Sequence, residues 1–218
     1  MIYSVLLVIV VIIILAFYLA KKEGKPLSIE LSKATLSIAA VFLGVFLAQY
    51  YSNLYNVERD KLHVIKLLEV SHLELSNFNM WLQAIPDNYS KAKHEIPGYE
   101  PKDLFKDNPI ELPFIVKTTL NDTNIIRTMH PQSITSILAA LENSKVMLLS
   151  FNNKDFSEEN LKNSIEIAAH HLTTLTKYVR FETSYQLGEI SEEELFDLHR
   201  SVIKNIETKP VGSLIKIK

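Results

Sequence analysis

Leu161-Lys162-Asn163-Ser164-Ile165-Glu166-Ile167-Ala168-Ala169-His170-His171-Leu172-Thr173-Thr174-Leu175-Thr176-Lys177-Tyr178-Val179 decides the fold class. Its Leu161, Ile165, Ala168, Leu172, Leu175 and Val179 follow one another by steps of four and three, which gathers them on one face of a helix and would scatter them over both faces of a strand. Just upstream, Ser157 followed by Glu158 and Glu159 is a helix start, and Gly188 supplies the stop. A second stripe reads Leu54, Val57, Val64, Leu68, Leu75, Phe78, Leu82 and Ile85, broken in register by Lys61 and Ser71. It predicts a helix that continues the preceding apolar segment and ends near Ile85.

Between the two long stripes, Pro131 at a first helical position precedes Ile134, Ile137, Leu138 and Leu141. Beyond them, Ser191 and Glu194 form a capping box ahead of Leu195, Leu198 and Val202. The weak strand candidates, Pro113-Phe114-Ile115-Val116 and Val146-Met147-Leu148-Leu149, fit buried helix equally well, and no segment sustains period-two alternation. The expected fold is all-α, with a helical bundle over residues 52–218. Both long stripes repeat at close to 3.5 residues, which favours shallow crossing angles and permits coiled-coil association between copies beside core packing within one chain.

Upstream of the bundle lie two apolar runs. Ile2 to Ala20 contains no charged residue and, at about 1.5 Å per residue, is long enough to cross the roughly 30 Å core of a bilayer. A second run from about Ala34 to Tyr51 follows, so residues 1–51 read as a two-helix transmembrane anchor. No basic residue precedes the first run and no small-residue cleavage site closes it, which identifies a retained span rather than a signal peptide. The connector carries Lys21, Lys22, Lys25 and Lys33, against Arg59, Lys61 and Lys66 after the second span. The positive-inside tendency therefore puts the connector in the cytoplasm and the C-terminal domain outside it, at the inner membrane of a bacterial cell. Ala40, Gly44 and Ala48 recur every four residues and line one helix face with small side chains, suited to packing the first span or a second copy. Gln49 is read as interfacial, and neither span holds an acid or base for an ion or proton pathway.

The stretch from Pro86 to Pro113 holds five of the eight prolines and predicts a long proline-rich loop at about 86–113. Tyr89, Ile96, Tyr99 and Phe105 give that loop apolar groups for contact with a partner or with its own bundle. Trp81 is read first as a core anchor and second as an aromatic contact in an interface.

Composition excludes several classes of chemistry. There is no cysteine, hence no disulfide, thiolate nucleophile or Cys-ligated metal. The five glycines are too scattered for a phosphate-binding loop or a nucleophile elbow, and Ser, His and Asp residues show no hydrolase spacing. Residues 52–218 carry 19 Lys and Arg against 23 Asp and Glu, without a basic block, so no nucleic-acid partner is expected. Asn88-Tyr89-Ser90 and Asn121-Asp122-Thr123 match the glycosylation acceptor pattern, which arises often by chance. Glu69 and His72 share the Glu-x-x-His spacing of carboxylate-bridged metal bundles, but those need the motif twice; a hydrogen-bonded His at the stripe's edge is the simpler reading. His170 and His171 are about 100° apart on their helix, so one should face the bundle and the other water, with Glu166 or Glu182 as acidic partners for base catalysis and a pH response as a further reading.

Gly44-Val45-Phe46-Leu47-Ala48-Gln49-Tyr50-Tyr51-Ser52-Asn53, then the charged cluster Glu58-Arg59-Asp60-Lys61, form an apolar span that closes on an aromatic and Asn ahead of a charged helix start. This order, with Pro131-Gln132-Ser133 to Leu141-Glu142-Asn143-Ser144-Lys145 downstream, resembles a family of uncharacterised small bacterial inner-membrane proteins. The resemblance implies an N-terminal anchor and a helical extracytoplasmic domain, and it brings no catalytic residues. Members of that family usually have one span where this chain has two. The expected function is a non-enzymatic, membrane-anchored helical module for protein–protein interaction or self-association. Its expected partners are the lipid bilayer and another membrane or envelope protein or a second copy, without a cofactor. The competing reading is a membrane-damaging effector, a toxin or defence component whose transmembrane helices oligomerise on a signal. An enzyme with a loop-covered pocket is a third.

Overall fold

The computed structural model describes residues 26–105, 109–152 and 157–208, together with 11, 12, 14, 15, 18, 21 and 22. Among these residues every regular element is a helix, and the fold is all-α. In chain order the helices are α1 (Pro26–Gln83), α2 (Ile85–Glu95), a short 3-10 turn (Pro101–Leu104), α3 (Phe114–Asn121), α4 (Thr123–Thr128), α5 (Pro131–Asn152), α6 (Glu158–Leu187) and α7 (Glu192–Thr208). The chain divides into two compact units, Met1–Asp60 and Lys61–Lys218.

In the first unit, the expected span over residues 2–20 lies for the most part outside the described residues. The expected span from Ala34 to Tyr51 is helical throughout. The segment Lys33–Glu95 is long and apolar enough to cross a membrane, and its most apolar window, mean hydropathy 1.6, is uncovered apart from Ala39. Ala40, Gly44 and Ala48 are exposed, and a Cβ built on Gly44 would meet no atom within 4 Å. Pro131–Phe151 also passes the length and hydropathy test. There, however, Ile137, Ala140, Leu141, Leu148 and Phe151 are buried in the protein core, as in a central helix.

The second unit is built around α6. Its stripe Leu161, Ile165, Ala168, Leu172, Leu175 and Val179 is buried, each at 2% exposure or less. Burial of each large side chain on this face stabilises the fold by roughly 1.5–3 kcal/mol. The ends are closed as the sequence predicts. Ser157 Oγ accepts from the Asn160 N–H at 3.3 Å, and Gly188, at φ 75°, turns the chain in the left-handed conformation while its N–H reaches back to the carbonyls of Ser184 and Tyr185. α1 runs antiparallel to α6: Asn79 Nδ2 donates to Thr173 Oγ1 at 3.0 Å, and two turns towards its start His72 feels the charge of Arg180. α7 begins with the Ser191–Glu194 capping box, in which the Ser191 N–H donates to Glu194 Oε2 at 2.7 Å and the Glu194 N–H to Ser191 Oγ at 3.2 Å.

The structure corrects three expectations. First, the segment expected as a loop over 86–113 starts with α2, because Pro86 falls in the first turn, where a missing N–H costs no helical hydrogen bond. Tyr89 and Phe105 are buried in the core, and Tyr99 stacks on Tyr89 at 6.1 Å, which leaves Ile96 as the exposed member of the expected contact set. Second, the core stripe of α1 starts at Val64; Leu54 and Val57 belong to the first unit and are exposed. Third, Trp81 is half exposed at 50% and stacks on Phe78 at 5.6 Å instead of entering the core. It sits one position off the buried register Leu75, Leu82, about 100° round the helix.

Candidate functional site

The steps of four and three on α6 continue past Val179 to Glu182 and Gln186, and both polar residues are buried. A carboxyl group on a core stripe must find donors. Glu182 Oε1 accepts from the His130 backbone N–H at 3.1 Å and from Gln186 Nε2 at 2.7 Å; Gln186 Nε2 also donates to the Thr128 carbonyl at 2.8 Å. Among the described residues no donor meets hydrogen-bond geometry at Glu182 Oε2. Burial pushes the Glu182 carboxyl above the usual range, against the opposing pull of Gln186, the nearby Ser133 hydroxyl and the His130 amide. These bonds tie the α4–α5 junction to the last turns of α6.

The second buried polar group comes from α7. His199, fully buried on the stripe Leu195, His199, Val202, places Nδ1 3.0 Å from Ser136 Oγ and Nε2 3.3 Å from Ser133 Oγ. In the neutral ring, one serine hydroxyl donates to the bare nitrogen and the other accepts from the ring N–H. The ring stacks on Tyr178 at 4.9 Å and 9° and meets Phe181 edge-on. Burial, with the charge of His130 second, holds the His199 imidazole down to about 4. His130 in turn accepts the Gln132 N–H at Nδ1 and donates from Nε2 to Glu192 Oε1, both at 3.2 Å, between the edges of Tyr185 and Phe196.

Ser136 also lines a cavity of about 330 Å³ between α5, α6 and α7, with Thr135, Asn143, His171 and Tyr178 among its other walls. His171 is half-buried and His170 exposed, as their angular separation requires. Burial, then the neighbouring His170, holds the His171 imidazole below its ordinary range. Glu166, the acidic partner one turn before His170, is exposed and outside the cavity wall, and Glu182 belongs to the buried cluster around His130. Ser136 has a histidine partner for a nucleophile, but it lies in the interior of α5, whose backbone N–H groups are committed to the helix and form no oxyanion hole. An imidazole held near 4 is also a weak base at neutral pH.

On α1 the face away from the buried register carries large apolar side chains beside the polar His63, Lys66, Glu69 and Asn77. Leu62, Val70, Leu73, Met80 and Trp81 are between 45% and 64% exposed, with Lys66 and Glu69 among them. Leu62, Leu73 and Met80 recur within about 20° of one another around the helix, opposite Leu68, Leu75 and Leu82. Glu69 is exposed and His72 half-buried, its imidazole lowered by burial and then by Arg180. Among the described residues no group of three His, Asp or Glu side chains is gathered to hold a metal ion.

Sequence reasoning placed the stripes and caps and named Glu182, though as a partner for the His170–His171 pair, but it missed Gln186, Ser133, Ser136 and His199 as functional residues. Their signal was register: Glu182, Gln186 and His199 each occupy a position that the apolar steps of their helix reserve for the core. No family model, curated protein or solved structure matches this chain, and no enzyme family or enzyme homologue is identified.

Proposed function

We propose that this chain is a membrane-anchored helical interaction module. Two spans, about 2–20 and 34–51, would hold a helical bundle at the inner membrane, with the lysine-bearing connector on the cytoplasmic side. The observation that carries the reading is the outward face of α1, where Leu62, Val70, Leu73, Met80 and Trp81 stay wet although the opposite face is committed to the core. Scattered exposed apolar side chains are ordinary, whereas five on one helix face, with an aromatic at one end, have the composition of a contact surface. The strongly apolar window of the segment Lys33–Glu95, uncovered apart from Ala39, supports the anchor.

The cysteine-free chain allows a direct test. Met80→Cys and Leu73→Cys in the full-length protein in its membrane should cross-link to a second copy or to another protein, while Lys177→Cys, on an exposed position of α6, should not. Equal cross-linking at all three positions, or none at the α1 pair, would refute the module. A sealed membrane on overexpression is expected; dye entry would favour the effector reading.

A further inference from the structure

The cavity between α5, α6 and α7 is separate from the α1 face and belongs to no role assigned above. Among the described residues its lining contains Thr135, Ser136, Asn143, His170, His171, Thr174 and Tyr178 but no Asp, Glu, Lys or Arg. Ala139, Ala140 and Ile203 join the Tyr178 ring as the apolar part of the wall. At about 330 Å³ it falls within the range of small-molecule sites, roughly 300–1,000 Å³.

We infer that this cavity binds an uncharged small molecule with one hydrogen-bonding head on a compact apolar body. An ion would lose hydration on entry and meet no opposite charge on the wall, a penalty that an uncharged molecule escapes. The apolar body is matched by the alanines, Ile203 and the Tyr178 ring. The head meets polar groups with no hydrogen-bond partner among the described residues: the His171 ring, the Asn143 amide, the Thr174 and Tyr178 hydroxyls and, at the exposed edge, the His170 ring, whereas Thr135 already donates to the Pro131 carbonyl and Ser136 is engaged with His199. Burial keeps His171 neutral at neutral pH, so its ring offers one donor and one acceptor nitrogen to the same visitor. Ser136 joins this wall to His199, so an occupant would be felt at the α7 imidazole.

An Ala139→Cys variant of the full chain in phosphatidylcholine nanodiscs places a single thiol on the cavity wall. Its alkylation by N-ethylmaleimide, measured by mass spectrometry, should slow with p-cresol and stay unchanged with p-toluate or p-methylbenzylamine, which alter the head's charge on the same ring. Lys177→Cys, outside the cavity, should be indifferent to all three. Adding His171→Phe should weaken p-cresol protection about tenfold, the scale of one lost hydrogen bond, while His171→Gln, which keeps a donor and an acceptor, should retain most of it. The p-cresol complex should also shift the His199 ring resonance. Absent protection, equal protection by the charged homologues, or protection undiminished in His171→Phe would overturn the inference. Cross-linking at α1 would be untouched by any of these results.

Discussion

The two ends of α6 solve the same packing problem with different chemistry. From Leu161 to Val179 the core face is hydrocarbon, and its stability is a matter of area and fit. From Glu182 to Gln186 the same face is polar, and its geometry is set by hydrogen bonds that reach α4, the start of α5 and, through the neighbouring serines, α7. Hydrocarbon contacts tolerate a slide of one helix past another better than directed bonds do. The apolar end therefore contributes most of the stability, and the polar end specifies which helices meet and in what register.

The largest effect that would sharpen this contrast lies at the apolar end. Leu172→Ala leaves a cavity at a fully buried site and should lower unfolding stability by about 2–5 kcal/mol, read from the denaturation midpoint of the full chain in nanodiscs. Next comes acid sensitivity at the polar end. A His199 imidazole held at about 4 in the fold against 6.5 when unfolded contributes stability that is complete above 6.5 and is lost as pH falls towards 4. The loss should be on the order of 1–3 kcal/mol after allowance for solvent screening, and His199→Asn should flatten it. The lowered imidazoles of His72 and His171 act in the same direction. The raised Glu182 carboxyl acts in the opposite one, because protonation relieves its burial, so Glu182→Gln should steepen the acid loss.

A backbone change follows. Gly188→Ala forces a side chain onto a φ of 75° and should cost about 1–2 kcal/mol, although open space surrounds the added methyl. Smallest is Glu182→Gln at pH 7. It keeps an acceptor, removes a buried ionisable group and should change stability by less than about 1 kcal/mol. A loss as large as that of Leu172→Ala would show that the polar end carries energy comparable to the apolar one, and the division drawn here would fail.

Much of the fold was legible because its governing signals are local. Ser157, Gly188, Pro131 and the Ser191–Glu194 pair mark helix ends through backbone chemistry that needs no neighbour. The Leu161 to Val179 stripe fixes a helix by period alone. Pro86 misled because proline stops a helix from within yet starts one readily, and the sequence around it does not say which applies. Trp81 misled because its type suggests burial, while its position, one residue before Leu82, sets it beside the core face. The polar cluster stayed hidden for another reason. Glu182 and His199 look like the end of an apolar pattern, and only the tertiary arrangement shows that Ser133, Ser136 and the His130 amide supply their partners.

A helix with grease on two sides also has a cellular cost. Under the proposed module reading, copies made in excess of a partner that covers Leu73, Met80 and Trp81 would display a surface of the kind that chaperones and quality-control proteases seize, so the steady-state abundance of the chain should follow supply of that partner rather than its own rate of synthesis.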